Sequence, residues 1–337
     1  MKRERSIDID AVRFFVASII VAVHTYPLES YSAVANHAFS QVFSRFCVPL
    51  FLVISGYFIL EKALGDFKKM VTFTKKLIRL YAISSLIYLP ILIYNGYFVD
   101  FSIGSFASDI LFNGIYFHLW YFPATILGIW IVYFLLKKLG MKKAWIVCLS
   151  LYLIGMAGDS YYGFVSQIPF IKVVYDVLFK VSFYTRNGVF YAPVFLLMGY
   201  TIAIAKNENR KMKDAILGCV FFIIMMAEGM ILYYLGWPRH TTMYFSLIPM
   251  CYFLFKYILS GKIGANPFLR EVGTWTYIMH PFMMTGIRFL GKMLHMDVIY
   301  RQSMLYFVFT LILTLAFSFG FAFAKTTLKN KNVHLHK

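Results

Sequence analysis

Long apolar runs constrain this chain more than any other feature of its sequence. We count ten runs of the length, about 17–25 residues, that a helix needs to cross a bilayer. Because 60% of the residues are hydrophobic and only 14% are charged, a soluble core could not bury them all. The sequence therefore predicts an all-α, polytopic membrane bundle that forms one domain over residues 1–337. Its predicted spans are 9–28, 40–61, 77–95, 118–136, 144–160, 187–205, 214–235, 241–259, 272–290 and 303–324.

The connections between these spans alternate in charge. Most of the 33 lysines and arginines fall in every second connection, for example in 62–79 and 137–143. Short loops that are rich in these residues stay in the cytoplasm, so the alternation predicts that both termini are cytoplasmic. The same distribution accounts for the net charge of +18 as a topology signal, and no nucleic-acid partner is expected.

Two other features bear on structure. The four cysteines, Cys47, Cys148, Cys219 and Cys251, lie in apolar runs without metal-ligand spacing, which predicts buried free thiols and no metal site. The longest external connection, 160–186, begins with a glycine-rich and tyrosine-rich stretch and contains Pro169. It is either a structured cap over the outer face or an amphipathic segment that lies on the bilayer.

The first predicted span carries two ionisable side chains on one face. Arg13 and His24 are eleven positions apart, which on an α-helix is about 20° from three whole turns and about 16 Å along the axis. A charge at this depth costs at least about 2.5–3.5 kcal/mol, so we expect this face to line a polar cavity. Asp8 and Asp10 are expected to cap the helix or to pair with Arg13.

Five ionisable residues, His24 among them, fall at the outer level of the predicted bundle, each in or beside a different span. Each could instead be a structural helix contact, an aromatic-belt anchor or a side chain that reaches the headgroups. We expect the carboxylate among them to pair with one of the two arginines, because an unpaired charge would be costly there. The group comprises His24, Arg45, His118, Arg186 and Glu228.

A further histidine, His280, lies nearer the middle of span 9 and is followed by Pro281. Proline lacks a backbone N–H, so it should loosen the helix and free carbonyl groups that need other partners.

These residue types suit group transfer. Histidine is the natural general base for a hydroxyl or an amine near neutral pH, which makes His24 the candidate base. Arg13, nearer the cytoplasm, suits an anionic, phosphate-bearing donor. The candidate acceptor-binding residues are Arg45, His118, Arg186, Glu228 and His280. The chain has no phosphate-binding loop, dinucleotide fingerprint, nucleophile elbow or zinc-protease motif.

Several blocks resemble the acyltransferase-3 membrane family. They are the Arg13-x10-His24 pair, the stretches 44–51 and 55–57, His118-Leu119-Trp120-Tyr121-Phe122 and Tyr277-Ile278-Met279-His280-Pro281. The resemblance covers most of the chain. It implies a multi-pass protein of the bacterial plasma membrane that uses cytoplasmic acyl-CoA, with acetyl-CoA the expected cosubstrate, to acylate a small-molecule or cell-envelope acceptor. Arg13 is then the residue that binds the acyl-CoA.

Three other stretches are similar to the membrane domain of the serine racemases of vancomycin-resistance clusters. They are residues 23–28, 153–163 and 184–188. In those racemases the membrane half precedes a soluble pyridoxal-phosphate domain and helps to supply L-serine. The racemase half is not present in this chain, either cut away or never part of it, so we expect no racemisation by this polypeptide alone.

Three functions therefore stay open on the sequence. The first is acyl transfer from acyl-CoA to a hydroxyl or amine reached from the outer side. The second is uptake or delivery of a small amino acid such as L-serine, with a cytoplasmic racemase domain or enzyme as partner. The third is a catalytically silent membrane anchor. A broken helix around Pro281 with a closed cytoplasmic side would favour transport, whereas a cytoplasmic opening that reaches from Arg13 to His24 would favour acyl transfer.

Overall fold

A computed structural model describes residues 6–205, 210–260 and 262–335. These residues form fourteen α-helices and one pair of three-residue strands, β1 (Ser6–Asp8) and β2 (Lys262–Gly264), which run parallel. The helical fold class is confirmed, and the small strand pair was not predicted. The helices are α1 Ile9–Thr25, α2 Ala33–Asn36, α3 Cys47–Gly65, α4 Phe67–Tyr94, α5 Ile103–Ser108, α6 Tyr121–Ala157, α7 Tyr162–Val165, α8 Pro169–Val181, α9 Ala192–Ile204, α10 Lys211–Leu235, α11 Leu247–Leu259, α12 Pro267–Met293, α13 Val298–Arg301 and α14 Ser303–Leu335.

Every predicted span coincides with helical structure. In the described part of the chain, five helical segments are long and apolar enough to cross a membrane, and α9 and α11 are shorter apolar helices. The count of ten spans and the cytoplasmic termini stay predictions. The five segments are Ala33–Gly65, Phe67–Tyr94, Tyr121–Ala157, Lys211–Leu235 and Ser303–Leu328.

Two predicted spans, 118–136 and 144–160, follow each other with almost no loop. The helical segment α6 covers both and is interrupted only at Gly140, where φ is +73° and ψ is 173°. An added Cβ at Gly140 would meet no atom within 4 Å. Glycine is therefore required by the backbone conformation rather than by crowding.

The helical structure before α3 is irregular. After α2 the chain forms a π-helical turn over His37–Val42 and a 3₁₀ turn over Phe43–Phe46. Ser40 donates a hydrogen bond to the Ala22 carbonyl of α1 over 3.3 Å. Wide turns of this kind re-aim side chains and are frequent at functional sites.

The described chain divides into two compact units. One, which we call the terminal unit, runs up to Cys47 and resumes at Tyr257; the other, the central unit, comprises Val48–Lys256. The prediction of a single domain over residues 1–337 stays a prediction.

Within the terminal unit, α1, α12 and α14 pack together. Gly273 of α12 lies against the backbone of Phe14, since an added Cβ there would come within 3.1 Å of the Phe14 Cα atom. Phe319 of α14 completes this contact, with its ring centroid 5.8 Å from that of Phe14. The small residue thus lets α12 lie close to α1.

Within the central unit, α3 and α9 cross at two glycines. An added Cβ would lie 2.0 Å from the Leu196 carbonyl oxygen at Gly56 and 2.0 Å from the Val53 carbonyl oxygen at Gly199. No side chain fits at either position, so the two backbones are in direct contact. This close approach is typical of membrane helices that pack through small residues.

The connection 160–186, which the sequence predicts to be external, is ordered into α7 and α8. Tyr175 of α8 is buried and donates a hydrogen bond to the Ile154 carbonyl over 2.6 Å. Phe170, Val173 and Val177 are exposed on the helix. One side of α8 is thus fixed on the protein, and other apolar side chains of the helix are exposed. Whether it caps the outer face or lies on the bilayer stays a prediction.

All four cysteines are free thiols, as predicted. Three are buried, whereas Cys219 on α10 is exposed, so the prediction of burial is wrong for that residue.

Candidate active site

Near the N-terminus of α1, Arg13 and Asp10 form an ion pair. Arg13 Nη1 lies 3.0 Å from Asp10 Oδ1, one helical turn earlier. The other carboxylate oxygen of Asp10 accepts a hydrogen bond from the backbone N–H of Asn266 over 3.0 Å. The expected pairing of Asp10 with Arg13 is confirmed, and the side chain of Asp8 lies outside the described part of the chain. Asp10 therefore fixes the arginine and also joins α1 to the start of α12.

Near the C-terminus of α1, His24 contacts His280 of α12. The rings of His24 and His280 are stacked, with centroids 5.3 Å apart and planes 20° from parallel. His280 is completely buried. It lies seven residues, or about two turns, after Gly273, so it occupies the same face of α12 that packs on α1. The close approach at Gly273 thus explains why α12 carries His280 to His24.

The neighbouring proline decides how the His280 ring is held. A residue other than proline at 281 would donate its N–H to the carbonyl of Tyr277, four residues earlier. In this helix the Nδ1 atom of His280 lies 2.9 Å from that carbonyl oxygen and 3.3 Å from that of Thr276. Because a carbonyl only accepts, Nδ1 must carry the proton. The expectation that Pro281 frees a carbonyl that needs a partner is confirmed.

Arg45 belongs to the same unit and lies in the 3₁₀ turn. Its Nε donates to the Gln41 backbone carbonyl over 2.9 Å, and its guanidinium also contacts the Gln41 side-chain oxygen. Arg45 interacts electrostatically with His37, which begins the π-helical turn. The sequence prediction missed His37, because it lies before the predicted span 40–61, whereas the helical structure already begins at Ala33.

His118 in the central unit is enclosed by aromatic rings. It is buried, and its ring centroid lies 4.9 Å from Tyr88, 5.8 Å from Tyr116 and 5.6 Å from Phe117. These contacts give His118 a packing role in the interior of the central unit.

Arg186 also lies among aromatic rings. Its guanidinium carbon is 4.1 Å from the centre of the Tyr184 ring and 5.0 Å from that of Trp120, which are cation–π distances.

Glu228 is held in a different way from the one predicted. Its carboxylate accepts hydrogen bonds from Tyr161 Oη over 2.8 Å, from the backbone N–H of Phe245 over 2.7 Å and from that of Ser246 over 3.0 Å. The Ser246 hydroxyl also donates to it. The prediction of an ion pair with Arg186 is therefore wrong, because backbone and hydroxyl donors of the central unit stabilise this carboxylate. Arg45 belongs to the terminal unit, and its pairing with Glu228 stays a prediction. Burial, and then the hydrogen bond to Glu228, raise the pKa of the Tyr161 hydroxyl.

The sequence prediction also missed Asp159, whose side chain is completely buried. It accepts hydrogen bonds from the backbone N–H groups of Thr242 and Met243 over 2.7 and 3.1 Å, and from the hydroxyl of Thr242. Its own carbonyl accepts from the N–H of Arg239 over 3.0 Å. Asp159 thereby anchors the loop before α11. The only sequence signal was its place in a glycine-rich and tyrosine-rich stretch.

The predicted residues thus fall into two groups. The terminal unit contains Arg13, His24, Arg45 and His280, and it brings the two histidines into contact. His118, Arg186 and Glu228 belong to the central unit, where each has its own set of partners. Among the described residues, no group of three or more His, Cys, Asp or Glu side chains could hold a metal ion.

Comparison with known proteins identifies the family. The acyltransferase-3 family model, described as an acyltransferase domain, matches residues 6–323. An amino-acid racemase of Enterococcus faecalis is 38% identical over 80% of this chain and 38% of its own length. A serine/alanine racemase of Enterococcus gallinarum is 32% identical over 84% of this chain and 42% of its own. The chain thus spans about two fifths of these relatives, and no solved structure matches it.

Proposed function

Because the chain belongs to the acyltransferase-3 family of membrane proteins, we propose that it transfers an acyl group from cytoplasmic acyl-CoA to an acceptor hydroxyl or amine. The acceptor, a small molecule or a cell-envelope component, is reached from the outer side of the bacterial plasma membrane. The observation that carries this proposal is the arrangement on α1, where a fixed arginine and a stacked histidine occupy one side of a single helix.

His24 acts as the general base in this proposal. As the acceptor oxygen or nitrogen attacks the thioester carbonyl carbon, its proton passes to His24. The carbon–sulfur bond breaks, and the proton on His24 passes to the sulfur, so that an ester or amide and free CoA leave. An imidazolium that forms on His24 lies over the ring of His280, an arrangement that cation–π attraction favours.

Arg13 binds the anionic donor. Its guanidinium carries five N–H donors in a planar fork that suits phosphate oxygens, and Nη1 is held by Asp10 at 3.0 Å. The pair with Asp10 holds the guanidinium in one orientation, which reduces the entropy lost when a phosphate or carbonyl oxygen of acyl-CoA binds.

The acceptor-binding role of Arg45 and His280 follows from their place in the same unit as His24. His118, Arg186 and Glu228 stay candidates for acceptor binding. The contacts of His118 and Glu228 also give each of them a structural role in the central unit.

The second candidate function is delivery of a small amino acid to a racemase. It is supported by the names of the relatives, which are racemases of amino acids, and by the two fifths of their length that this chain spans. The broken helix that would favour transport is not present in α12, which continues through Pro281 from Pro267 to Met293. Acyl transfer is therefore the better-supported proposal.

One pair of assays separates the two functions. Purified protein is incubated with acetyl-CoA and a panel of hydroxyl and amine acceptors, and release of free CoA is measured. The same preparation is placed in liposomes, and uptake of labelled L-serine is followed. Acceptor-dependent CoA release without serine uptake is the expected result, whereas serine uptake that needs no acetyl-CoA would contradict the proposal.

A further inference from the structure

The ring of His280 is held by the backbone carbonyl of Tyr277. That carbonyl receives no helical hydrogen bond from Pro281, because proline has no N–H. Pro281 cannot donate to the Tyr277 carbonyl, and His280 Nδ1 takes that place at 2.9 Å. Of the two imidazole nitrogens, a neutral ring protonates only one, so Nε2 then carries the lone pair. A backbone feature of α12 thereby selects one tautomer of a buried side chain.

The orientation of His280 bears directly on His24. Their rings lie 5.3 Å apart and within 20° of parallel, so the plane of one restricts rotation of the other. A His280 ring that lost the Tyr277 carbonyl would keep the longer contact to the Thr276 carbonyl at 3.3 Å and would be held less firmly, so the surface on which His24 stacks would be less well fixed.

We propose that Pro281 is a positioning residue for the His24 general base. It leaves the Tyr277 carbonyl to His280, places the His280 proton on Nδ1 and so fixes the ring on which His24 stacks. This inference rests on the proposed function, since it assigns His24 the role of base. His280 neither gains nor loses a proton during the reaction.

The variant Pro281→Ala tests whether the missing N–H at position 281 fixes the His280 ring. Alanine restores an N–H four residues after Tyr277, and this N–H competes with His280 Nδ1 for the same carbonyl. Alanine favours a helix interior by about 3 kcal/mol over proline, which offsets the packing lost with the buried Pro281 ring, so the variant should melt near the wild-type temperature. Loss of activity could then not be ascribed to unfolding.

Pro90→Ala is the matched control. Pro90 likewise lies inside a long helix, α4, and frees the carbonyl of Leu86. It belongs to the central unit and is not part of the proposed site.

Three measurements test the proposal. Nitrogen-15 NMR of histidine-labelled protein without substrate reports which ring nitrogen of His280 is protonated, with its signals assigned by their loss in His280→Gln. Steady-state assays give kcat and KM for acetyl-CoA. Thermal unfolding gives the melting temperature.

We expect the wild type and Pro90→Ala to show His280 protonated on Nδ1, with equal kcat. In Pro281→Ala that tautomer should no longer dominate, and kcat should fall by up to about 100-fold with KM unchanged, the size expected for a misplaced catalytic group. A wild type protonated on Nε2 would overturn the proposal. So would a normal kcat in a variant whose tautomer has shifted, or a fall in kcat without any shift.

The tautomer is read without substrate, so the two proposals fail separately. A wild type that shows the expected tautomers but consumes no acetyl-CoA with any acceptor would contradict the role of His24 as base for acyl transfer. In that case the positioning role falls with it, and only the selection of the His280 tautomer by Pro281 remains.

Discussion

The carboxylate of Glu228 is surrounded by hydrogen-bond donors on both oxygens. The Tyr161 hydroxyl and the Phe245 N–H reach Oε1, and the N–H and hydroxyl of Ser246 reach Oε2. Two of these donors are backbone groups of Phe245 and Ser246, the two residues directly before α11, so the side chain joins α10 to the start of α11.

Glu228→Gln should therefore destabilise the protein, although the two side chains have the same shape. The amide nitrogen would point a donor at N–H and hydroxyl donors, and the unmade hydrogen bonds should cost about 1–3 kcal/mol. A lower melting temperature is expected, with Glu61→Gln on the exposed face of α3 as the control. Equal melting temperatures for the two variants would contradict this account.

The sequence indicated that Glu228 needs a partner but not which one. An ion pair is the partner that side-chain chemistry suggests, whereas the partners in the structure are two backbone N–H groups and the hydroxyls of Tyr161 and Ser246, which no sequence pattern marks. The same reason explains why Asp159 was missed. For His280 the sequence was more informative, since Pro281 shows which carbonyl is released, while the contact with His24 depends on helix packing.

The helices α3 and α9 pack with their backbones in direct contact, because each has a glycine at the crossing point. Gly56 and Gly199 each lie against a carbonyl oxygen of the other helix at a distance that no Cβ atom can adopt. The crossing brings together two segments that are more than a hundred residues apart in the chain.

Gly199→Ala should force these helices apart. Overpacking at a tight contact costs about 1–3 kcal/mol, and a clash with backbone cannot be relieved by a rotamer change. Gly286→Ala is the control, because an added Cβ on Gly286 in α12 meets no atom within 4 Å. Thermal unfolding should show a lower melting temperature for Gly199→Ala alone, and an unchanged one would disprove the tight crossing.

The positions of the helices were predictable because apolar runs and their charged flanks are local features. The pairing of helices was not, since it depends on small residues such as Gly199 and Gly273 whose role appears only when two backbones meet. The π turn at His37–Val42 was also outside the reach of a pattern that assumes regular helices.

For the whole molecule, the charge alternation predicts ten spans with cytoplasmic termini. Single cysteines placed at Lys142, beside the break in α6, and at Gln167, in the connection before α8, should report opposite sides in a cysteine-free background. An impermeant thiol reagent applied to intact cells should label the second position only. External labelling at Lys142 would refute the predicted topology.

The role of His24 as the general base is tested most directly by the turnover of His24→Ala compared with that of His295→Asn. His295 lies exposed after the end of α12, with φ at +56°, a conformation that asparagine tolerates. Acceptor-dependent release of CoA from acetyl-CoA should fall by about 10²–10⁴ in His24→Ala and stay at the wild-type rate in His295→Asn, with both proteins folded by thermal unfolding. Full turnover by a folded His24→Ala protein would contradict the assignment of His24 as the general base.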